Sequence, residues 1–192
     1  MPLPKPEEVS SAEITETWES AHQKIISLGI MIMKHTLREG IKLDLIAVIP
    51  RGGLYPVNIL SRLLKIPGNR VILLGLSKYD PNDPMHDTEK FEIGQLPPKD
   101  MIEGKNVLLP DEVHDTGETM DLGYNILKDL GAATILTAAI HYKPRPNRTS
   151  RIPDFYVQAT NGWVHYPWED LDGIGDVYQI AQSRGVPADL SI

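Results

Sequence analysis

Apolar positions near the start of the chain follow one period and then abandon it. From Ile14 they recur at Trp18, Ala21, Ile25, Leu28 and Ile32, steps of three and four that lay a single stripe along one face of a helix. Thr15 or Thr17 can cap this helix, because a threonine oxygen accepts an N–H of the first turn, and Gly40 ends the pattern. Residues 45–49 (LIAVI) are then apolar without a break, as a short strand buried on both faces requires. The turn 50–53 (PRGG) follows, and helical spacing returns over 54–64 with Val57, Leu60 and Leu64.

The order repeats. Residues 71–76 (VILLGL) predict a strand, 77–92 a polar, turn-rich segment, and 107–109 the next strand, introduced by Gly104-Lys105-Asn106. A loop leads to a helix with Leu122, Ile126, Leu127 and Leu130 inward, stopped by Gly131. Strands at 134–142 (TILTAAIHY) and 155–159 (FYVQA) complete the series. Strands alternating with helices predict right-handed βαβ units, hence an α/β fold with a mostly parallel twisted sheet flanked by helices. The proline-rich residues 2–6 read as a loose arm. Residues 171–192 read as a C-terminal extension, with Val177, Ile180 and Ala181 docking a short helix.

Composition narrows the function more than the fold. A chain of 192 residues, 41% of them apolar, suits one domain with a substantial core. A net charge of −7 argues against nucleic acid and anionic membrane as partners, since both need a positive field. No apolar run is long enough to span a bilayer, and the opening MPLPKPEEVSS lacks the basic and apolar regions of a secretory signal, so the expected location is cytoplasmic. The absence of cysteine excludes disulfides, thiolate metal sites and a thiol nucleophile. The six histidines show no metal-ligand spacing.

The candidate chemistry lies in VLLPDEVHDTGETM, residues 107–120. In an open parallel sheet, ligands bind beyond the C-terminal ends of strands, where Asp111 to Thr119 fall. Thr116, Gly117, Glu118 and Thr119 precede a helix whose free N–H groups and dipole favour a phosphate. The carboxylates of Asp111 and Glu112 can accept hydrogen bonds from sugar hydroxyls or help to hold Mg²⁺. A phosphorylated sugar satisfies both halves. A D-x-x-x-D-T-G run alone would more often be a solvated strand-to-helix turn, with Asp115 as its cap; the sequence of buried strand, acid pair, DTGET and helix is far more specific.

These residues resemble the type I phosphoribosyltransferases, whose signature is a buried strand, two adjacent acids, two further residues and then D-T-G-x-T. Five other stretches are similar to the xanthine-guanine branch: IAVIPRGGL at 46–54, SKYD at 77–80, HYKP at 141–144 with GWVHYPWED at 162–170, and TWESA at 17–21. The resemblance implies a single domain over 1–170, with a hood at about 77–100 and a base pocket at about 141–170. It implies transfer of 5-phosphoribose from phosphoribosyl pyrophosphate (PRPP) to N9 of a 6-oxopurine, giving the nucleoside monophosphate and pyrophosphate, with Mg²⁺ as cofactor in a homodimer or homotetramer.

By the same resemblance, Asp111 and Glu112 hold the ribose hydroxyls, and Glu112, then Asp111, contact Mg²⁺. Asp115 moves the proton at purine N7 and, with Thr116, Gly117, Glu118 and Thr119, surrounds the 5-phosphate. Arg51 and Gly52 line the pyrophosphate site, the backbone between them being strained so that N–H groups face the leaving group. Lys143 donates to O6, Trp163 stacks on the base, and the main chain around Val164 reads its 2-position. Trp18 is expected as a helix-to-core anchor, Trp168 as packing, and His114 as a neutral loop histidine.

The chain departs from the branch at three points. Glu112 stands where Asp is frequent, His165 where an acid can occur, and the hood lacks an arginine for pyrophosphate, leaving Lys78 or Lys90. Two other functions stay open. An adenine-type enzyme is disfavoured because the Lys143 ammonium only donates, which suits a keto oxygen and not an amino group. A non-catalytic PRPP-binding regulator is disfavoured because no helix-turn-helix or basic stripe accompanies the domain.

Overall fold

The computed structural model describes residues 8–80, 83–144, 151–170, 181 and 184–185; the side chains of 79–80 and 83–89 are outside that description. In chain order the elements are β1 (Ile14–Thr15), α1 (Trp18–Glu39), β2 (Leu45–Val48), α2 (Leu54–Leu63), β3 (Val71–Leu73), β4 (Leu76–Asp80), β5 (Asp83–Ile93), α3 (Lys99–Ile102), β6 (Asn106–His114), α4 (Glu118–Asp129), β7 (Thr134–Tyr142), β8 (Phe155–Ala159) and β9 (Val164–His165).

The central sheet has five parallel strands in the order β3-β2-β6-β7-β8. Its strands are mainly apolar where both faces are covered, and the pleat divides those residues between two cores. Ile46, Val48, Leu108, Leu136, Ala138 and Ile140 meet Ile25, Leu28 and Ile32 of α1 and Val57 and Leu60 of α2. Leu45, Ala47, Val107, Leu109 and Ala139 meet Ile102 of α3 and Met120 and Leu127 of α4. The chain goes from β2 outward to β3 and then returns to place β6 on the other side of β2. That reversal opens a crevice between the C-terminal ends of β2 and β6.

Several expectations are corrected. Ile14 does not start the first helix but belongs to β1, which pairs in parallel with β9. Thr17 is the cap: its hydroxyl accepts from Ser20 N–H at 3.1 Å, and the Ser20 hydroxyl accepts from Thr17 N–H at 2.9 Å. Trp18 is no core anchor, being 52% exposed and tilted against Tyr55 and Trp168. The predicted strand 71–76 splits at Gly75, whose N–H and carbonyl bond to Gln95 and Gly94. The segment 77–92, expected as turns, forms the antiparallel pair β4–β5 with Leu76 opposite Ile93. Strand β6 runs on through the acid pair to His114, because β7 continues to pair with it as far as Tyr142. Residues 2–6, Val177 and Ile180 fall outside the described residues; Ala181 is buried. Among the described residues no helix is long and apolar enough to cross a membrane.

Candidate active site

The crevice collects residues from three strand ends. From β2 comes the turn Pro50-Arg51-Gly52-Gly53, with Arg51 exposed and the Pro50–Arg51 peptide cis, one bond before the position expected to be unusual. From β6 come Asp111 and Glu112, both half-buried, then Asp115 and the turn into α4. From β7 comes Lys143.

The first two groups are in direct contact. A Cβ added to Gly52 would overlap the Glu112 carboxylate, so a side chain at this turn would have to displace the acid. On the resemblance to the phosphoribosyltransferases, Gly52→Ala is expected to push the Glu112 carboxylate aside and raise KM for PRPP at least about tenfold, the loss of one charge-assisted contact. The KM for the base should stay within about twofold of wild type, which steady-state kinetics at saturating co-substrate would check.

The acid pair is strained electrostatically. Glu112 N–H donates to Asp111 Oδ1 at 3.0 Å, whereas Glu112 Oε2 is buried with no hydrogen-bond partner. Burial first, then the Asp111 charge, push the Glu112 carboxyl well above the usual range. Burial raises Asp111 as well, opposed by hydrogen bonds from Glu112. An orphaned carboxylate oxygen beside a second acid fits a cation. Among the described residues no group of three or more His, Cys, Asp or Glu could hold a metal. Two carboxylates with substrate oxygens completing the shell suit Mg²⁺, which is seldom caged by protein alone.

Beyond the acids, Gly117 has φ 80° and stands as N-cap of α4, which has no side-chain cap bond. A side chain would strain that backbone, and the head of α4 is the kind of place that attracts an anion; Glu118 N–H donates to the Thr116 hydroxyl at 3.5 Å. Thr116 is exposed and Thr119 half-buried. The Glu118 carboxylate pairs with Lys78 of β4 at 2.6 Å, tying the hood to the first turn of α4. Lys90 is exposed.

On the far side, Lys143 is 3% exposed, bonded through Nζ to Asp115 Oδ2 at 2.7 Å and set 5.1 Å from the Trp163 ring centre. A lysine at a strand end is normally a surface residue; this one is buried because β7, the loop after β6 and the segment before β9 converge on it. Trp163 itself is 57% exposed, leaving its ring accessible. The carbonyls of Trp163 and His165 accept from Ile14 and Glu16 of the N-terminal segment. By alternation along a strand, the main-chain groups of Val164 face the other way. His165 Nε2 is 3.6 Å from Glu13 Oε2. Trp168 stacks between Tyr55 and Tyr166, in keeping with packing. His114, expected in a loop, is instead the buried last residue of β6, and burial lowers its pKa.

Sequence reasoning passed over Glu16, His141 and Tyr166, all buried. The signal was present in TILTAAIHY, since a histidine inside a strand buried on both faces needs polar partners. Its partners come from distant segments. Tyr166 O–H donates to the Glu112 main-chain oxygen at 2.7 Å, and His141 Nδ1 lies 2.7 Å from the same hydroxyl. His141 Nε2 lies 3.2 Å from Glu16 Oε1, and Lys24 and Ser20 donate to the Glu16 carboxylate.

A model of the phosphoribosyl transferase domain matches residues 18–169, and the chain belongs to that family. Among solved structures it is similar to the purine phosphoribosyltransferase of Pyrococcus horikoshii, with 28% identity, 81% of this chain and 93% of that chain covered, and a TM-score of 0.64. A Neisseria gonorrhoeae protein with bound ppGpp is also 28% identical, over 84% of this chain and 92% of that one, with a TM-score of 0.67. The xanthine-guanine-hypoxanthine phosphoribosyltransferase of Helicobacter pylori shares the fold at 15% identity, over 91% and 99% of the chains, with a TM-score of 0.65. No curated protein sequence matches the chain.

Proposed function

We propose that this chain transfers the 5-phosphoribosyl group of PRPP to N9 of a 6-oxopurine, releasing pyrophosphate. The observation that carries the reading is the buried Lys143, bonded to Asp115 and lying over Trp163. An ammonium with its stem buried beside an exposed indole is a donor waiting for an acceptor on a flat heterocycle, which a purine O6 supplies. The Neisseria neighbour solved with ppGpp, a guanine nucleotide phosphorylated on its ribose, is in keeping with this ligand class.

In this mechanism the 5-phosphate lies on the N–H groups of Thr116 to Thr119 at the head of α4, fixing one end of PRPP. Asp111 and Glu112 accept from the ribose hydroxyls and orient the ring. Arg51 and the turn at Gly52 face the leaving pyrophosphate. Asp111 and Glu112 are the residues that would hold Mg²⁺, whose charge would offset the negative charge developing on the leaving group. Asp115 takes the purine N7 proton as N9 attacks the anomeric carbon, which acquires oxocarbenium character as in other glycosyl transfers. The hood from β4 and β5 excludes water that would otherwise hydrolyse PRPP. Positioning and electrostatics supply the catalysis without a covalent nucleophile.

Incubation with PRPP, Mg²⁺ and guanine, xanthine, hypoxanthine or adenine in turn tests the reading. Nucleotide and pyrophosphate should form in equal amounts with at least one 6-oxopurine and poorly with adenine. PRPP binding without product from any base would make the chain a PRPP-responsive regulator and overturn the enzymatic reading.

A further inference from the structure

The acid pair sits where β6 has left its partner on one side. Pairing of β2 with β6 ends at Ile46 opposite Leu108, well before Glu112. The Glu112 main-chain oxygen is instead held by a side chain, the Tyr166 hydroxyl from beyond β9. That hydroxyl has one proton. A carbonyl can only accept, so the proton points to Glu112, and His141 Nδ1 must be the group that donates to Tyr166 Oη. The tautomer follows: a neutral ring with its proton on Nδ1. On the other side of the ring, Nε2 lies 3.2 Å from Glu16 Oε1. Burial lowers the His141 pKa to about 4. Glu16 and Lys24 at the head of α1, Gln158 on β8 and Tyr166 are the polar and charged groups facing the ring.

We infer that His141 and Tyr166 are positioning residues that set the acid pair for PRPP and its metal. The chain of bonds runs from His141 N–H to the Tyr166 hydroxyl and on to the Glu112 carbonyl. It fixes the backbone between Asp111 and the phosphate turn, and so the direction in which both carboxylates point. The inference rests on the assignment of Asp111 and Glu112 to PRPP made above. It adds that the wall carrying the base pocket, through Tyr166 two residues after Val164, holds the ribose site as well.

Tyr166→Phe is the sharpest test, because it removes one hydroxyl and keeps the ring stacked 4.6 Å from Trp168. It should raise KM for PRPP and the half-saturating Mg²⁺ concentration about tenfold, with KM for the base within about twofold of wild type. His141→Leu should do the same. His141→Asn, whose amide nitrogen can take the place of Nδ1–H, should recover most of the PRPP affinity. A general loosening of the fold would move both KM values together and would not distinguish Asn from Leu; either result overturns the inference. Calorimetric binding of Mg²⁺·PRPP to the same variants separates this from the enzymatic reading. If wild type binds PRPP but turns over no base, the proposed reaction falls while the pattern of affinities still decides the role of Tyr166. Wild-type PRPP affinity in Tyr166→Phe removes that role whatever the turnover.

Discussion

Replacing Asp111 with Asn and Glu112 with Gln together is expected to abolish useful PRPP affinity and, at the same time, to raise the melting temperature of the ligand-free chain. Each carboxylate lost as an ionised acceptor removes about 1.5–3 kcal/mol of charge-assisted contact, so KM for PRPP should rise on the order of 10³-fold. The stability gain has a separate cause. Burial and mutual repulsion raise both carboxyls in the folded state. Groups that hold protons more tightly folded than unfolded contribute least to stability when ionised.

The pH dependence follows in sign. Below about pH 4 the wild-type pair is largely protonated both folded and unfolded, and the double variant should melt close to wild type. As pH rises from the unfolded-state values toward the higher folded-state ones, the unfolded wild-type chain releases protons that its folded form still holds. Its stability therefore falls relative to the variant, by about 2–4 °C for each kcal/mol in a chain of this size. Adding Mg²⁺ and PRPP should reverse the order, because only wild type gains linkage stabilisation, about 2.7 kcal/mol at a hundredfold excess over Kd. Scanning calorimetry at several pH values, with and without Mg²⁺·PRPP, reads all of this. A difference in melting temperature that stays constant with pH would show that the acids are not strained in the folded chain.

How far the sequence reveals this site depends on where each contact originates. The unbroken apolar run at 45–49 announces a strand because both faces are buried, and 134–142 does so with Thr134 and Ile135 half-buried and only Thr134, Thr137 and His141 interrupting the apolar and aromatic positions. The extension of β6 through Pro110, Asp111 and Glu112 was not legible, since its residues are polar and the strand exists there only because β7 pairs with it. The β4–β5 pair was hidden for a related reason: its proline- and aspartate-rich composition reads as turn, and the pairing that makes it a strand lies elsewhere in the chain. The two-residue pairing of β1 with β9 joins segments 150 residues apart, beyond the reach of any local period. The acid pair and the DTGET turn were legible because one continuous stretch carries them. The burial of Lys143 and the support of Glu112 by Tyr166 are products of convergence, and no single stretch contains them.

That convergence makes Lys143 the most informative position for base choice. Lys143→Met keeps an unbranched apolar stem in a site that is 3% exposed and removes only the ammonium, so the fold should survive. Asp115, with 34% of its side chain exposed, keeps access to water after losing its partner, and no uncompensated charge is sealed in. With a 6-oxopurine bound, O6 would then face a methyl group in place of a charged donor. We expect kcat/KM for guanine, xanthine and hypoxanthine to fall on the order of 100-fold, the upper part of the range for a charged hydrogen bond. KM for PRPP should change by no more than about twofold, because the proposed ribose contacts at Asp111 and Glu112 and the proposed phosphate contacts at Thr116 to Thr119 do not include Lys143. Adenine, which gains nothing from an ammonium opposite its amino group, should lose far less, so the ratio of 6-oxopurine to adenine turnover should narrow. Steady-state kinetics with the four bases at saturating PRPP would check this. A rise in KM for PRPP as large as the loss on the base would instead make Lys143 the counterion that holds Asp115 and its phosphate turn in place, and would move base selection to Trp163 and the main chain of Val164.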